Sequence, residues 1–284
     1  MPDAPLILRT SIGTYPHTLP LKDGSVTSER VRLEHIDFTP ANRAFRPMAN
    51  DLAFDTSELA LVTYLLAWAQ GRPLVGIPVV LMQQTALGLV FCRADASLSH
   101  PGDLTGCTIG VRAYSQTTGV WLRGLLQDHA GVDLASLRWV TVEAAHVDGF
   151  DDPPNVCRAA PGKSLLRMLL DREIDAAVGL VPGEDPNIRL LVPNAAEVEE
   201  EWVRASGIRP VNHSMVVRRD LAATYPWLRA ELARMVAAAK EQAGTGPPDG
   251  LTANASAINL LTRYAHEQHI IPRPYAAEEL FPSP

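Results

Sequence analysis

Cysteine is scarce in this chain. Its three cysteines, Cys92, Cys107 and Cys157, have no metal-type spacing and are odd in number, so reduced thiols in a cytosolic protein are expected rather than a disulfide framework. Basic charge is also short, with 25 Lys and Arg against 32 Asp and Glu and a net charge of −7. That balance argues against nucleic acid and anionic membranes as partners, because both need basic patches. A small anionic ligand remains possible, since only the local field of a cleft matters to it. The longest apolar runs, Leu59–Ala69 and Leu74–Met82, fall short of the roughly 20 residues that cross a bilayer. The opening Met1-Pro2-Asp3-Ala4-Pro5 has no basic n-region and Arg9 breaks the apolar stretch after it, so no secretory signal is read and a cytoplasmic location is expected. No Walker loop, dinucleotide fingerprint, nucleophile elbow or metal-ligand spacing occurs. No metal and no cofactor are expected.

What is present is an ordinary globular composition, 46% apolar and 20% charged over 284 residues, long enough for two lobes with a core each. Strand and helix patterns alternate along it. Leu6–Thr10 reads as a buried strand followed by the turn-rich Ser11–Pro16, and Val31–His35 alternates as a half-exposed strand. Asn42–Asn50 reads as a helix, Leu52–Asp55 as a brief strand, and Glu58–Gln70 as a helix stopped by Gly71. Leu74–Leu81 and Leu87–Cys92 are strand candidates. Thr108–Val111, a polar loop and the helix Ser115–Ala130 form a complete unit, followed by strands at Leu137–Val142 and Ile174–Leu180 and an acidic helix at Ala195–Ser206. Asn212–Val217 is a strand that could return to the first lobe, and helices Pro226–Gln242 and Ala253–His269 finish the chain. The class is therefore α/β with mostly parallel sheets. Periodicity leaves open whether there is one sheet or two. The apolar strands Leu87–Cys92 and Ser214–Val217 bracket a self-contained run of units, which places lobe one at 1–90 and 218–284 and lobe two at 91–217.

Polar residues cluster at strand ends, where open α/β sheets bind ligands. Tyr15, His17 and Thr18 follow the first strand, as either ligand groups or ordinary loop polarity. Ser57 and Glu58 are read at a strand-to-helix junction, where free amides favour an anion; the alternative is that Ser57 or Thr56 caps the helix and Glu58 complements its dipole. Tyr114, Ser115, Gln116 and Thr117 open the second lobe's helix, and capping explains only one of their hydroxyls. Arg112 and Arg46 are cations that could face a cleft. His213, between Asn212 and Ser214, is either a proton donor or carboxylate ligand or a structural imidazole bonded to a carbonyl. The run Glu197, Glu199, Glu200, Glu201 reads as a solvated helix face.

Several ordered segments resemble the 4,5-dihydroxyphthalate decarboxylase family. They are Gly110-Val111, Tyr114, Thr117, Val120–Asp128, Gly131-Val132 and Ser136–Thr141, then Gly207–His213, Val216–Asp220 and Tyr225–Trp227. Weaker matches are Tyr15 with His17-Thr18, Phe45-Arg46, and Phe54-Asp55 with Ser57–Leu59. The resemblance spans roughly residues 8–239 and implies a two-lobed type 2 periplasmic-binding-protein-like fold with a ligand cleft between the lobes. It implies a cofactor-independent decarboxylase acting on a hydroxylated aromatic or related conjugated carboxylic acid. His213 would be the acid, Glu58 would polarise a phenol or assist proton transfer, and the hydroxyls of Ser115 and Thr117 would hold a carboxylate. The chain departs from the family where Gln83, Gln84, Thr85, Ala86 and Leu87 replace a segment usually carrying Arg and His, and where Leu180-Val181-Pro182 replaces one carrying Arg. Gln83 and Gln84 offer amides without charge, so the substrate is expected not to be 4,5-dihydroxyphthalate itself. The alternatives are a non-catalytic cytoplasmic solute-binding or sensing protein, and another enzyme on the scaffold, of the menaquinone-pathway type.

Overall fold

A computed structural model describes residues 4–181, 183 and 185–282. The opening Met1–Asp3 and Pro182, both used in the sequence reading, lie outside the described residues. In chain order the first elements are β1 (Leu6–Ser11), α1 (Leu19–Lys22), β2 (Val31–His35), α2 (Phe45–Asp51), β3 (Thr56–Ala60), α3 (Leu61–Ala69) and β4 (Leu74–Met82). Next come β5 (Val90–Arg93), β6 (Thr108–Val111), α4 (Thr117–Ala130), β7 (Arg138–Thr141), β8 (Val156–Arg158), α5 (Leu165–Leu170), β9 (Ala176–Val178), β10 (Ile188–Leu190) and α6 (Ala195–Ser206). The chain closes with β11 (His213–Arg218), α7 (Arg219–Thr224), α8 (Leu228–Ala243), α9 (Leu251–Glu267) and α10 (Ala277–Leu280).

Two separate sheets form, ordered β2-β1-β3-β11-β4 and β10-β5-β9-β6-β7-β8. The chain leaves the first sheet after β4 and comes back as β11, which runs antiparallel between β3 and β4. His213–Val217 therefore belongs to the first sheet, which moves the expected boundary at 217/218 to before His213. The sheets are mixed rather than mostly parallel, because β11 and β5, the strands that follow the crossovers, oppose their neighbours. The apolar stretch expected as a strand over Leu87–Cys92 spends its first half on a 3-10 turn at Leu87–Leu89.

Side-chain alternation in the first sheet builds two cores. Ile77, Val79, Met215 and Val217 face α8 and its Leu228, Leu232 and Val236. Val80 and Val216 face the opposite way, into a core shared with α3, α4 and α9. This second core spans both lobes. At its centre the motif residues of α4 are architectural. Gly124 accepts the flat ring of Tyr264 from α9, and a Cβ there would lie 2.2 Å from the ring. Arg123 is fully buried, its guanidinium 3.9 Å from the Tyr114 ring centroid and hydrogen-bonded to Gln268 Oε1 and the Tyr114 carbonyl at 2.6 Å each. Burial draws its pKa down to about 10, against the opposing pull of Tyr114 and Asp152. Among the described residues no helix is long and apolar enough to cross a membrane.

Two local readings are corrected. The segment Leu52–Asp55 forms no strand: Leu52 ends α2 in the left-handed conformation at φ 50°, and the strand begins at Thr56. β3 is paired on both edges, to β1 and β11, and all five of its side chains are buried because both faces of the sheet are covered there. Periodicity could not separate β3 from the helix it runs into, because Thr56, Ser57 and Glu58 are polar although buried and so read as the capped start of a helix rather than as a strand. The acidic run on α6 is solvated except at Glu199, which is 4% exposed; its carboxylate accepts the Leu87 N–H at 2.5 Å and so closes the crossover turn.

Candidate active site

A cleft of about 910 Å³ opens between the sheets. Its walls come from the loop after β1 (Gly13, Tyr15), the approach to α2 (Phe38, Arg43, Phe45, Arg46), the start of α3 (Ala60, Thr63), the two crossovers (Gln84, His213), and the ends of β6 and β7 (Arg112, Ser115–Thr118, Glu143, His146). Most are carboxyl ends of parallel strands and amino ends of helices, where backbone amides are left over, and His213 joins them at the amino end of β11 because that strand runs antiparallel to β3 and β4. Phe38, Phe45 and Tyr15 give the cleft apolar surface on which an aromatic ring can lie.

His213 starts β11, where the register with β4 is irregular on either side of Ser214. Such a bulge re-aims a side chain. The His213 ring meets Phe45 edge-on at 5.1 Å between centroids and places Nδ1 2.5 Å from Glu58 Oε1. Glu58 lies on β3, 1% exposed, and does not line the cleft. Its Oε1 also accepts the Tyr15 hydroxyl at 2.7 Å, and its Oε2 accepts the Gly13 N–H at 2.6 Å. Burial by itself would raise this carboxyl. The hydrogen bond and charge of His213, then Tyr15 and Gly13, outweigh burial and lower it. An ionised carboxylate can only accept, so the proton between the partners sits on His213 Nδ1. Nε2 is left for the cleft, with no partner among the described residues. Glu58 thus lies one shell behind the position expected of it, orienting His213 rather than meeting a substrate. The same carboxylate, with burial as the larger cause, raises the Tyr15 hydroxyl.

The loop that holds Gly13 and Tyr15 is shaped by Thr18, whose hydroxyl donates to the Gly13 carbonyl at 2.7 Å and accepts the Tyr15 N–H at 2.8 Å. Tyr15 lies over Gly13 so closely that a Cβ there would be 2.6 Å from the ring. His17 stacks on Tyr15 at 5.3 Å and bonds the Leu81 carbonyl through Nε2. Ser57 bonds the carbonyls of Ser11 and Glu58. Tyr114 packs in the core beneath Arg123, and Gln83 reaches Asn254. His17, Thr18, Ser57, Tyr114 and Gln83 therefore support the site or lie outside it, while Tyr15, Gln84, Arg112, Ser115, Gln116, Thr117 and His213 line the cleft.

Three arginines line the cleft, and two are committed. Arg46 pairs with Asp148 and donates to the Ala145 carbonyl at 2.6 Å, while Asn50 bonds the His146 carbonyl, so α2 is fastened to the loop after β7. Arg112 pairs with Glu143 at 2.7 Å. Arg43 is exposed, and its guanidinium has no partner among the described residues. At the opposite wall, α4 begins without a side-chain cap, and the buried Gln116 Oε1 has no hydrogen-bond partner. The sequence reading missed Arg43, Thr63, Thr118 and His146. His146 follows β7 in the same kind of strand-end position that singled out Tyr15, and that rule would have found it.

Two lobes on mixed sheets with a polar cleft between them define a type 2 periplasmic-binding-protein-like fold. The periplasmic aliphatic sulphonate binding protein of Escherichia coli superposes with a TM-score of 0.62 at 15% identity, covering 98% of this chain and 97% of that one. No protein-family model matches the chain. It is similar in sequence to two enzymes named 4,5-dihydroxyphthalate decarboxylase. That of Comamonas testosteroni is 28% identical over 248 residues, 81% of this chain and 73% of the relative. That of Pseudomonas putida is 26% identical over 214 residues, 70% and 82% of the two chains.

Proposed function

We propose that this protein is a cofactor-independent decarboxylase of a hydroxylated aromatic or similarly conjugated carboxylic acid, with His213 as the proton donor. The observation that carries the reading is the His213–Glu58 pair. The buried carboxylate fixes Nδ1–H and leaves Nε2 to the cleft, the arrangement a proton donor needs. In the reaction, protonated His213 gives the Nε2 proton to the ring carbon that bears the carboxylate, while a phenol ortho or para to it supplies the electrons. The carbon–carboxylate bond then breaks, its electron pair returns to the ring, and carbon dioxide leaves. His213 ends neutral, with Nδ1–H still on Glu58, ready to be reprotonated. Phe38, Phe45 and Tyr15 supply the wall for the ring, and the decarboxylase names of both sequence relatives support the same chemistry.

The substrate class follows from charge. Arg43 is the uncommitted guanidinium of the cleft, and one guanidinium matches one carboxylate. Gln84 adds an amide without charge. A monocarboxylate, or an acid whose second group is neutral, suits this cleft better than 4,5-dihydroxyphthalate. The unpaired thiols Cys92, Cys107 and Cys157 suit a reducing, cytoplasmic setting.

The test is to incubate the protein with a panel of hydroxybenzoates and benzene dicarboxylates while following carbon dioxide release and thermal shift. Turnover of a monoacid is expected, with 4,5-dihydroxyphthalate weaker by about tenfold or more, the worth of one charge-assisted hydrogen bond. His213→Ala should lower turnover at least about 100-fold. Thermal shift without carbon dioxide release anywhere in the panel would instead mark a binding protein, and efficient turnover of the dicarboxylate with inert monoacids would overturn the specificity.

A further inference from the structure

Thr63 lies in the first turn of α3, 4% exposed yet part of the cleft wall. Its Oγ1 is 3.1 Å from His146 Nδ1, and His146 Nε2 is 3.2 Å from Arg112 Nη1. The direction of this chain of hydrogen bonds is decided at its far end. A guanidinium has donors and no acceptor, so His146 Nε2 must accept. A neutral His146 then carries its proton on Nδ1 and donates to Thr63. Burial first, and then the charges of Arg112, Arg46 and His213, push the His146 pKa down to about 4, which keeps the ring neutral. Phe45 holds the ring in place edge-on at 5.6 Å.

One of the two lone pairs of Thr63 is thereby occupied, and its own O–H has no acceptor among the described residues. Two neighbours in the cleft wall share this polarity. Thr117 Oγ1 accepts the Val62 N–H at 3.1 Å, and Thr118 Oγ1 accepts the Asn212 side-chain N–H at 3.4 Å. A hydroxyl free in solution can donate or accept; these are biased to donate. We propose that Thr63 is a specificity-determining residue whose hydroxyl, turned to donate into the cleft by the positioning residues His146 and Arg112, bonds a carboxylate oxygen of the substrate, a charged acceptor that takes a bond about twice as strong as a neutral carbonyl does. This rests on the cleft being a carboxylic-acid site as proposed above, and adds which residue discriminates an acid from its neutral counterpart.

Two measurements test it, neither of which needs turnover. The first is the ¹⁵N shift of the His146 ring nitrogens in the unliganded wild-type protein at neutral pH: Nδ1 should be the protonated nitrogen, and an Nε2–H tautomer would overturn the proposal. The second is the affinity of 3,4-dihydroxybenzoate and of the neutral 3,4-dihydroxybenzamide for wild type, Thr63→Val and Thr63→Ser. Wild type should prefer the acid. Thr63→Val should weaken the acid about tenfold and the amide less than threefold, while Thr63→Ser should stay within about threefold of wild type for both. Equal binding of acid and amide by wild type, or acid binding unchanged in Thr63→Val, would refute it. A protein that binds the acid through Thr63 but releases no carbon dioxide would sink the decarboxylase reading alone, and turnover by wild type with affinity indifferent to Thr63 would sink this one alone.

Discussion

Replacing Glu58 by glutamine keeps the shape of the buried carboxylate and removes its charge and one acceptor. Three donors converge on that group: Gly13 N–H at 2.6 Å, Tyr15 O–H at 2.7 Å and His213 Nδ1–H at 2.5 Å. An amide has one oxygen and one NH₂, so it cannot accept all three. With its oxygen toward Tyr15 and His213, the NH₂ would face the Gly13 N–H, a donor against a donor that the backbone cannot change. With the oxygen toward Gly13, the NH₂ faces Tyr15, which can turn its hydroxyl, and His213, which can move its proton to Nε2. The second arrangement costs less and reverses the tautomer. Charge-assisted hydrogen bonds contribute about 1.5–3 kcal/mol each, so the variant should lose about 2–4 kcal/mol of stability. The donor in turnover is His213 with both ring nitrogens protonated, and an NH₂ facing Nδ1 cannot accept that Nδ1–H; in the Ser-His-Asp triad, where a carboxylate accepts from the same nitrogen, the change from carboxylate to amide costs about 10⁴ in rate, and general acid–base catalysis as a whole is worth about 10²–10⁴. Carbon dioxide release should therefore fall at least about 100-fold with substrate affinity little changed, because Glu58 does not reach the cleft. The assay is turnover with the best acid of the panel, denaturant unfolding, and the ¹⁵N shifts of His213. If His213 keeps Nδ1–H in Glu58→Gln and turnover is within threefold of wild type, Glu58 does not set the tautomer.

The pH dependence of stability is expected to show His146. Its folded pKa of about 4 lies below the ordinary 6.5 because of burial and the nearby arginines, so the unfolded chain takes up this proton first as pH falls. The stability is fully present above pH 6.5 and is lost progressively down to about pH 4, by about 2 kcal/mol between pH 7 and pH 4.5. In His146→Gln this slope should flatten, read by urea unfolding at the two pH values; an unchanged slope would assign the effect elsewhere. The lowered Glu58 carboxyl acts in the same direction at lower pH, below its ordinary 4.5. Gly124→Ala would gain about 1 kcal/mol of helix propensity, but its Cβ would lie 2.2 Å from the Tyr264 ring. Net destabilisation of about 1–2 kcal/mol is expected from overpacking, and a neutral or raised unfolding midpoint would show that α9 yields at no cost.

The sequence by itself determined the α/β class and most of the elements. α6 spans Ala195–Ser206 as read, and Gly131 ends α4 in the left-handed conformation that a stop glycine provides. These are decided by local hydrophobic period and by backbone freedom, both carried by neighbouring residues. The ordered resemblance supplied the lobed fold, and it did so largely through residues such as Trp121, Arg123 and Gly124 that pack rather than react. Tertiary structure alone decided that Glu58 is a strand residue behind His213, because this depends on β11 returning from 155 residues away to pair beside β3. It decided likewise that Glu199 is buried against the crossover while its neighbours on α6 are solvated. It sorted the arginines into committed and free, since ion pairing is set by which loops the two sheets bring face to face. The direction of the Arg112–His146–Thr63 chain lies furthest from the sequence: each residue is ordinary in its own segment, and only their meeting across the cleft fixes which atom holds the proton.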